Sequence, residues 1–352
     1  MNASLIRISA LLVSLTATCV ISFAASHSAG NPADHLPPHI VRLTAFGERA
    51  DWSHDGKKIL FLSKTFGDAM ELDVATRSIR NLTAHYPHFG YTRALYLANG
   101  DILLSGPTVF DPKKAGQARN ECYLSVLDKS GKKPPVALGA RCNEGPAVSR
   151  QRLHLAWAEW TPADPDRGIT GTSRLFEADI VYSDGSPALT GRRLIIEASE
   201  LPFRCTMESQ SFRAPEEKEL TFSAYTERGR KCDVIGIDLQ SKKITKYTDS
   251  PDAYDEPEGI FPDGKHTLIE ADLQNGLGPG NVDIWKLALD GSGDHPRLTY
   301  FSDYPSYKAS NPVVSDDGKL MAFQMAKTED AAGVGHGLFL YDFTKAPPDR
   351  PR

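Results

Sequence analysis

Trp52-Ser53-His54-Asp55-Gly56-Lys57-Lys58-Ile59-Leu60-Phe61-Leu62-Ser63 ends one short strand, turns at Asp-Gly and begins another with an apolar run. Glycine reaches the positive φ of a tight turn without steric cost, so the stretch reads as a β-hairpin. It recurs as Phe261-Pro262-Asp263-Gly264-Lys265-His266-Thr267-Leu268-Ile269 and as Ser315-Asp316-Asp317-Gly318-Lys319-Leu320-Met321-Ala322-Phe323. One hairpin cannot bury its apolar face alone, so a returning hairpin implies stacked units sharing a continuous core.

The segments around each turn complete the unit. In the first, the hairpin is followed by Met70-Glu71-Leu72-Asp73-Val74 and Ile79-Arg80-Asn81-Leu82-Thr83, which makes a four-strand meander. The same order returns around Asn99-Gly100-Asp101, and around Ser149-Arg150-Gln151-Arg152 and Pro215-Glu216-Glu217-Lys218, where the Asp-Gly pair is lost. Turn positions 56, 100, 151, 217, 264 and 318 are roughly 45 to 65 residues apart, the spacing of propeller blades with their loops. The last unit ends after Leu338-Phe339-Leu340-Tyr341-Asp342-Phe343, one strand short, while an extra strand, Ile40-Val41-Arg42-Leu43-Thr44, precedes the first. Arg42-Leu43-Thr44 repeats Arg297-Leu298-Thr299 and Asn81-Leu82-Thr83, both fourth-strand positions. The N-terminal strand is therefore expected to complete the last blade and remove two open sheet edges. The predicted fold is all-β: a six-bladed β-propeller of four-stranded antiparallel blades over residues 39–345.

Leu-Thr, a strand, Ser-x-Asp-Gly-Lys, an apolar run and a later Ile-Trp or Leu-Tyr strand together resemble the TolB-type, WD-repeat-like propeller repeat. The likeness is specific in units one, five and six and spans almost all of the chain after its leader. TolB itself has an additional N-terminal α/β domain, for which there is no room before Ile40, so a stand-alone propeller is expected. The resemblance implies a binding or scaffold module for a protein, peptide or glycan ligand. Propellers of the oligogalacturonate-lyase type give the alternative, a carbohydrate-active enzyme. No Gly-x-Ser-x-Gly elbow occurs, which argues against a prolyl-oligopeptidase-like hydrolase.

Composition agrees with a soluble core-forming chain: 40% hydrophobic and 24% charged residues, with a formal charge of −5 that lacks the basic excess of a nucleic-acid binder. Residues 1–26 read as a signal peptide, with Arg7 before an apolar stretch and small residues around Ala24-Ala25-Ser26. An uncleaved anchor, or lipidation at Cys19, is the alternative. A periplasmic or secreted monomer follows, with a Pro-rich lead-in at 27–38, a polar tail at 346–352 and no membrane span after leader removal. Cys122, Cys142, Cys205 and Cys232 then meet an oxidising compartment. The expected bridges are Cys122–Cys142 and Cys205–Cys232, with Cys122 and Cys232 opening third strands and Cys142 and Cys205 opening inner ones.

In such a ring the Asp-Gly turns share one face and the long loops the other, where function is usually placed. Starts of inner strands should line the channel at that loop face. The candidate ligand residues are Glu48, Arg49, Asp51, Arg93, Glu144, Glu208, Glu256, Glu258 and Asn311. Carboxylates around a funnel suit a cation, a sugar or a basic segment, and paired ones could serve glycosidic chemistry. No cofactor is expected from the sequence; a divalent metal is the alternative, with His85 and His88 as its candidate ligands.

Overall fold

The computed structural model describes residues 28–143, 145–161, 171–250, 252–330 and 333–347. The expected leader, Glu144 and the end of the tail lie outside these residues. Strand β1 (Ile40–Arg42) is followed by blade one, β2 (Glu48–Trp52), β3 (Lys58–Leu62), β4 (Ala69–Asp73) and β5 (Ile79–Asn81). Blade two is β6 (Arg93–Tyr96), β7 (Ile102–Pro107), β8 (Cys122–Leu127) and β9 (Val136–Cys142), with helix α1 (Ala115–Arg119) between β7 and β8. Blade three is β10 (Ala147–Val148), β11 (His154–Thr161), β12 (Thr172–Ser183) and β13 (Ser186–Glu197). Blade four is β14 (Thr206–Phe212), β15 (Glu219–Thr226), β16 (Lys231–Asp238) and β17 (Ile244–Lys246). Blade five has β18 (Asp255–Ile260), β19 (His266–Ala271) and β20 (Asp283–Ala288), and blade six has β21 (Tyr307–Val314), β22 (Leu320–Lys327) and β23 (Leu338–Asp342).

The ring closes as the repeat pattern predicts. β1 pairs antiparallel with β23 through Ile40–Tyr341, Val41–Leu340 and Arg42–Phe339, so blade six gains its fourth strand from the N-terminus. Burial falls from the axis outward: β3 is buried at four of its five positions, whereas all three residues of β5 are exposed. The core lies between blades. Trp52, Ile59 and Phe61 of blade one pack with Ala322 and Leu338 of blade six, and the Trp52 indole donates to Val313 O at 3.1 Å across the same seam.

The Ser-x-Asp-Gly-Lys turns hold themselves shut. Ser53 Oγ donates to Asp55 Oδ1 at 2.8 Å and accepts from Lys58 N at 2.9 Å, while Gly56 takes φ 68°. Ser315, Asp317 and Gly318 repeat this arrangement. The degenerate turns of blades three and four brace each other instead: Ser149 Oγ donates to Glu217 Oε2 at 2.5 Å, and Arg150 N to Glu217 Oε1 at 3.0 Å.

Three features depart from the sequence reading. Blade five has three strands; its fourth is reduced to a Trp285–Arg297 bridge, because Pro296 has no N–H for a ladder. Strands β12 and β13 are twelve residues each and meet at Asp184-Gly185, forming a long hairpin whose Tyr182 hydroxyl donates to Asp101 Oδ2 of blade two at 2.5 Å. Cys142 ends β9 rather than opening an inner strand.

That placement sets Cys142 directly opposite Cys122 in the β8–β9 register, where a cross-strand bridge has the right partners. The expected Cys205–Cys232 bridge is not supported: β15 runs between β14 and β16, and the two thiols pack in different clusters, Cys205 near Met207 and Cys232 with Tyr254. No disulfide links any of the four cysteines in the structure. Among the described residues no helix is long and apolar enough to cross a membrane.

Ile40 is buried against Phe339 and Tyr341 at the closure. Ile40→Ala should lower stability by about 2–4 kcal/mol, and deletion of residues 38–44 should cost more than that single substitution. Urea unfolding reads both, and a deletion variant as stable as the parent would contradict closure by β1.

Candidate functional site

Inner strands aim side chains into the channel by bulging. Register slips between Glu48 and Asp51 in β2, Ser209 and Ser211 in β14, Pro257 and Ile260 in β18, and Ser310 and Val313 in β21. The extra residue at a bulge leaves the ladder and is re-aimed. Here Arg49, Gln210, Glu258 and Asn311 all reach the channel wall. Arg49 and Asn311 adopt φ 55° and 47°, and the N–H each turns out of the ladder is taken by the neighbouring blade's second strand. Arg49 N donates to Gln324 Oε1 and Asn311 N to Glu270 Oε1, both at 2.6 Å.

Among the described residues two chambers lie along the channel and share Arg49, Arg93, Glu258 and Asn311 in their walls. The one at the loop face has a cavity of about 400 Å³ and collects Glu48, Arg49, Arg93, Glu208, Glu256 and Glu258 from the predicted set, with Asn311 at its floor. The other, at the Asp-Gly face, measures about 320 Å³ and contains Asp51. Asp51 is thus not a loop-face ligand. Its carboxylate accepts from Tyr96 N at 2.6 Å and meets Arg150, which also binds Asp316 at 2.7 Å and Trp52 O at 2.8 Å and so clamps blades one, three and six together.

At the loop face the carboxylates share protons. Tyr225 Oη lies 2.8 Å from Glu208 Oε2 and also touches Glu256 Oε1, while the Tyr254 hydroxyl donates to Glu256 Oε2. Tyr225 has one proton for two acceptors, so one of these contacts needs a proton from a carboxyl. Glu256, Glu258 and Glu270 lie with ligand atoms within 4.8 Å of one another, the one such three-ligand group among the described residues. Withdrawal from water, reinforced by the charges of Glu256, Glu270 and Glu208, pushes Glu258 well above the usual carboxylate range despite Arg49. Burial likewise raises Glu270, against Lys308 and the Asn311 N–H. Asn311 Nδ2 donates to Glu258 Oε1 at 2.8 Å.

Arg93 crosses the chamber to Glu208, Nη2 to Oε1 at 3.1 Å, and its Nη1 is buried with no hydrogen-bond partner. Gly145 (φ 62°) makes this possible, since a Cβ there would collide with the Glu208 carboxylate. The two histidines are not gathered into this group. His85 is exposed and packs on Tyr86; His88 accepts from Gly90 N at 2.9 Å and lies 3.1 Å from Asp68 Oδ1, so both its ring nitrogens are engaged. Glu270, Tyr225 and Tyr254 were not among the residues singled out from sequence. Glu270 had a readable signal, a charge inside the apolar run Thr267-Leu268-Ile269-Glu270-Ala271; the tyrosines had none.

No protein-family model matches the chain, and no curated protein matches it in sequence. Among solved structures, a TolB-type protein of Agrobacterium tumefaciens aligns with a TM-score of 0.52 at 17% identity, over 78% of this chain and 89% of that one. The fold is that of a TolB-like six-bladed propeller. An oligogalacturonate lyase from Vibrio parahaemolyticus aligns with a TM-score of 0.50 at 13% identity, over 86% and 93%. A calcium-binding regucalcin from A. tumefaciens aligns with a TM-score of 0.51 at 11% identity, over 85% and 92%. At these identities the likeness is one of fold alone, shared across binding proteins and enzymes.

An unfolded glutamate titrates near about 4.3, while folded Glu258 keeps its proton to higher pH, so the folded state binds more protons in the window between and stability falls as pH rises through it. Glu258→Gln removes that titration and keeps the Asn311 contact. The variant should lose less thermal stability than the parent as pH rises above about 4.3; parallel Tm–pH curves would contradict the assignment.

Proposed function

We propose that this chain is an exported binding propeller whose loop-face chamber holds part of a protein, peptide or glycan ligand. The observation that carries the reading is the buried, unspent N–H of Arg93 in a chamber whose wall also holds Glu208, Glu256, Glu258 and Glu270. An orphaned buried donor costs about 1–3 kcal/mol, a cost that a bound acceptor removes. At the Asp-Gly face, by contrast, Arg150 is spent on clamping the blades. Export rests on the apolar leader at 1–26 and the four cysteines of the remaining chain.

A second reading, a carbohydrate-active enzyme, draws support from Glu258, a carboxyl that holds its proton beside two others and so has the form of a general acid. The two readings separate on turnover. In a thermal-shift and calorimetric screen of short peptides and of neutral and acidic oligosaccharides, the binding reading expects a ligand that is held without being consumed. Arg93→Gln and Glu256→Gln should each weaken it about tenfold or more, and Lys57→Glu on the opposite face should leave it unchanged. Cleavage of an oligosaccharide that disappears in Glu258→Gln would establish the enzymatic reading instead.

A further inference from the structure

Four of the loop-face chamber's carboxyls come from two neighbouring blades. Blades four and five supply an acidic wall, Glu208 from β14, Glu256 and Glu258 from β18 and Glu270 from β19. Across from it, Arg49 of β2 is paired with Glu48 of the same strand, Arg93 comes from β6, and blade six adds Lys308 and Lys327. On the acidic side three carboxyl groups converge with two tyrosine hydroxyls behind them, an arrangement rich in acceptors once it ionises. Arg93, in the wall of this chamber, uses Nη2 on Glu208 and keeps Nη1 buried without a hydrogen-bond partner.

These two halves ask for different things. A bare divalent cation would suit the acidic wall, yet it would leave Arg93 Nη1 unbonded and would add positive charge near Arg49 and Lys308. A simple anion would satisfy Arg93 and be repelled by the opposite carboxylates. A neutral sugar would answer neither charge. A ligand with an ammonium at one end and a carboxylate at the other answers both, since guanidinium pairs well with carboxylate and an ammonium donates to several carboxylate oxygens. A chamber of about 400 Å³ has room for such a small molecule and none for a folded domain. Resting on the reading that the loop-face chamber is the ligand site, we propose that it binds a small zwitterion of the amino-acid or dipeptide class, ammonium against Glu256, Glu258 and Glu270 and carboxylate on Arg93.

A consequence follows for protons. An ammonium beside Glu258 favours its ionised form, so binding expels the Glu258 proton to solvent. Carboxyl O–H breaks, the ammonium donates to the resulting carboxylate, and no other bond changes.

Titration calorimetry of the full chain at neutral pH tests this with L-alanyl-L-alanine, its N-acetyl derivative and its C-terminal amide. The free dipeptide should bind, and each blocked form should be weaker by about tenfold or more. In Arg93→Gln the free acid and the amide should become equal; in Glu256→Gln the free and acetylated dipeptides should. Repeating the titration in buffers of different ionisation enthalpy should show release of about one proton per ligand, absent in Glu258→Gln, with circular dichroism confirming that each variant is folded. The zwitterion proposal is overturned if the acetylated or amidated dipeptide binds as well as the free one. It is also overturned if none binds while calcium chloride or an oligosaccharide does so in an Arg93- or Glu256-dependent way, which would leave the loop-face site standing. If nothing bound responds to either substitution, both the zwitterion and the loop-face site fall.

Discussion

The pairing of β1 with β23 is the contact on which the architecture depends. A propeller opened at one seam exposes the edges of two blades and lets its channel widen; three residue pairs, seated on the Ile40–Phe339–Tyr341 core, prevent this. A closed ring gives the channel a fixed circumference. Side chains that enter it from different blades are therefore held at fixed separations, and groups that would repel in water must share protons. The Glu256–Glu258–Glu270 group and the doubly contacted Tyr225 are products of that confinement.

The two ends of the channel use the same charges to different ends. At the Asp-Gly face Arg150 answers Asp51 and Asp316, and the result is a clamp across blades. At the loop face Glu256, Glu258 and Glu270 converge, and Arg93 keeps a donor unspent. Stability is given up in the second chamber, through buried carboxyls whose ionisation burial makes costly and an orphaned guanidinium N–H, a pattern common at ligand sites.

Blade count and ring closure were legible in the sequence because each rests on a local rule with a visible residue: glycine at 56, 264 and 318, and the Leu-Thr pair at 43–44, 82–83 and 298–299. The channel lining was legible in part. Glu48, Arg93, Glu208 and Glu256 sit near inner-strand starts, as the meander requires, whereas Asp51 lies beyond the β2 bulge and so ends in the other chamber. Bulges add a residue without leaving a compositional trace, which also hid the reason Glu258 and Asn311 point inward. Tyr225 and Tyr254 come from strand ends and loops whose approach is set by the ring rather than by their own neighbours. The cysteines carry a related lesson: Cys122 and Cys142 share a ladder, but Cys205 and Cys232 are kept apart by the intervening β15.

The most direct test of a proton-sharing chamber is a carbon-13 NMR titration of the glutamate side-chain carboxyls in the folded protein. The account predicts a glutamate that titrates well above the ordinary value, whose signal is absent from the Glu258→Gln variant. If every glutamate titrates near its ordinary value of about 4.3, the chamber holds no shared proton and the account of the loop-face site is contradicted.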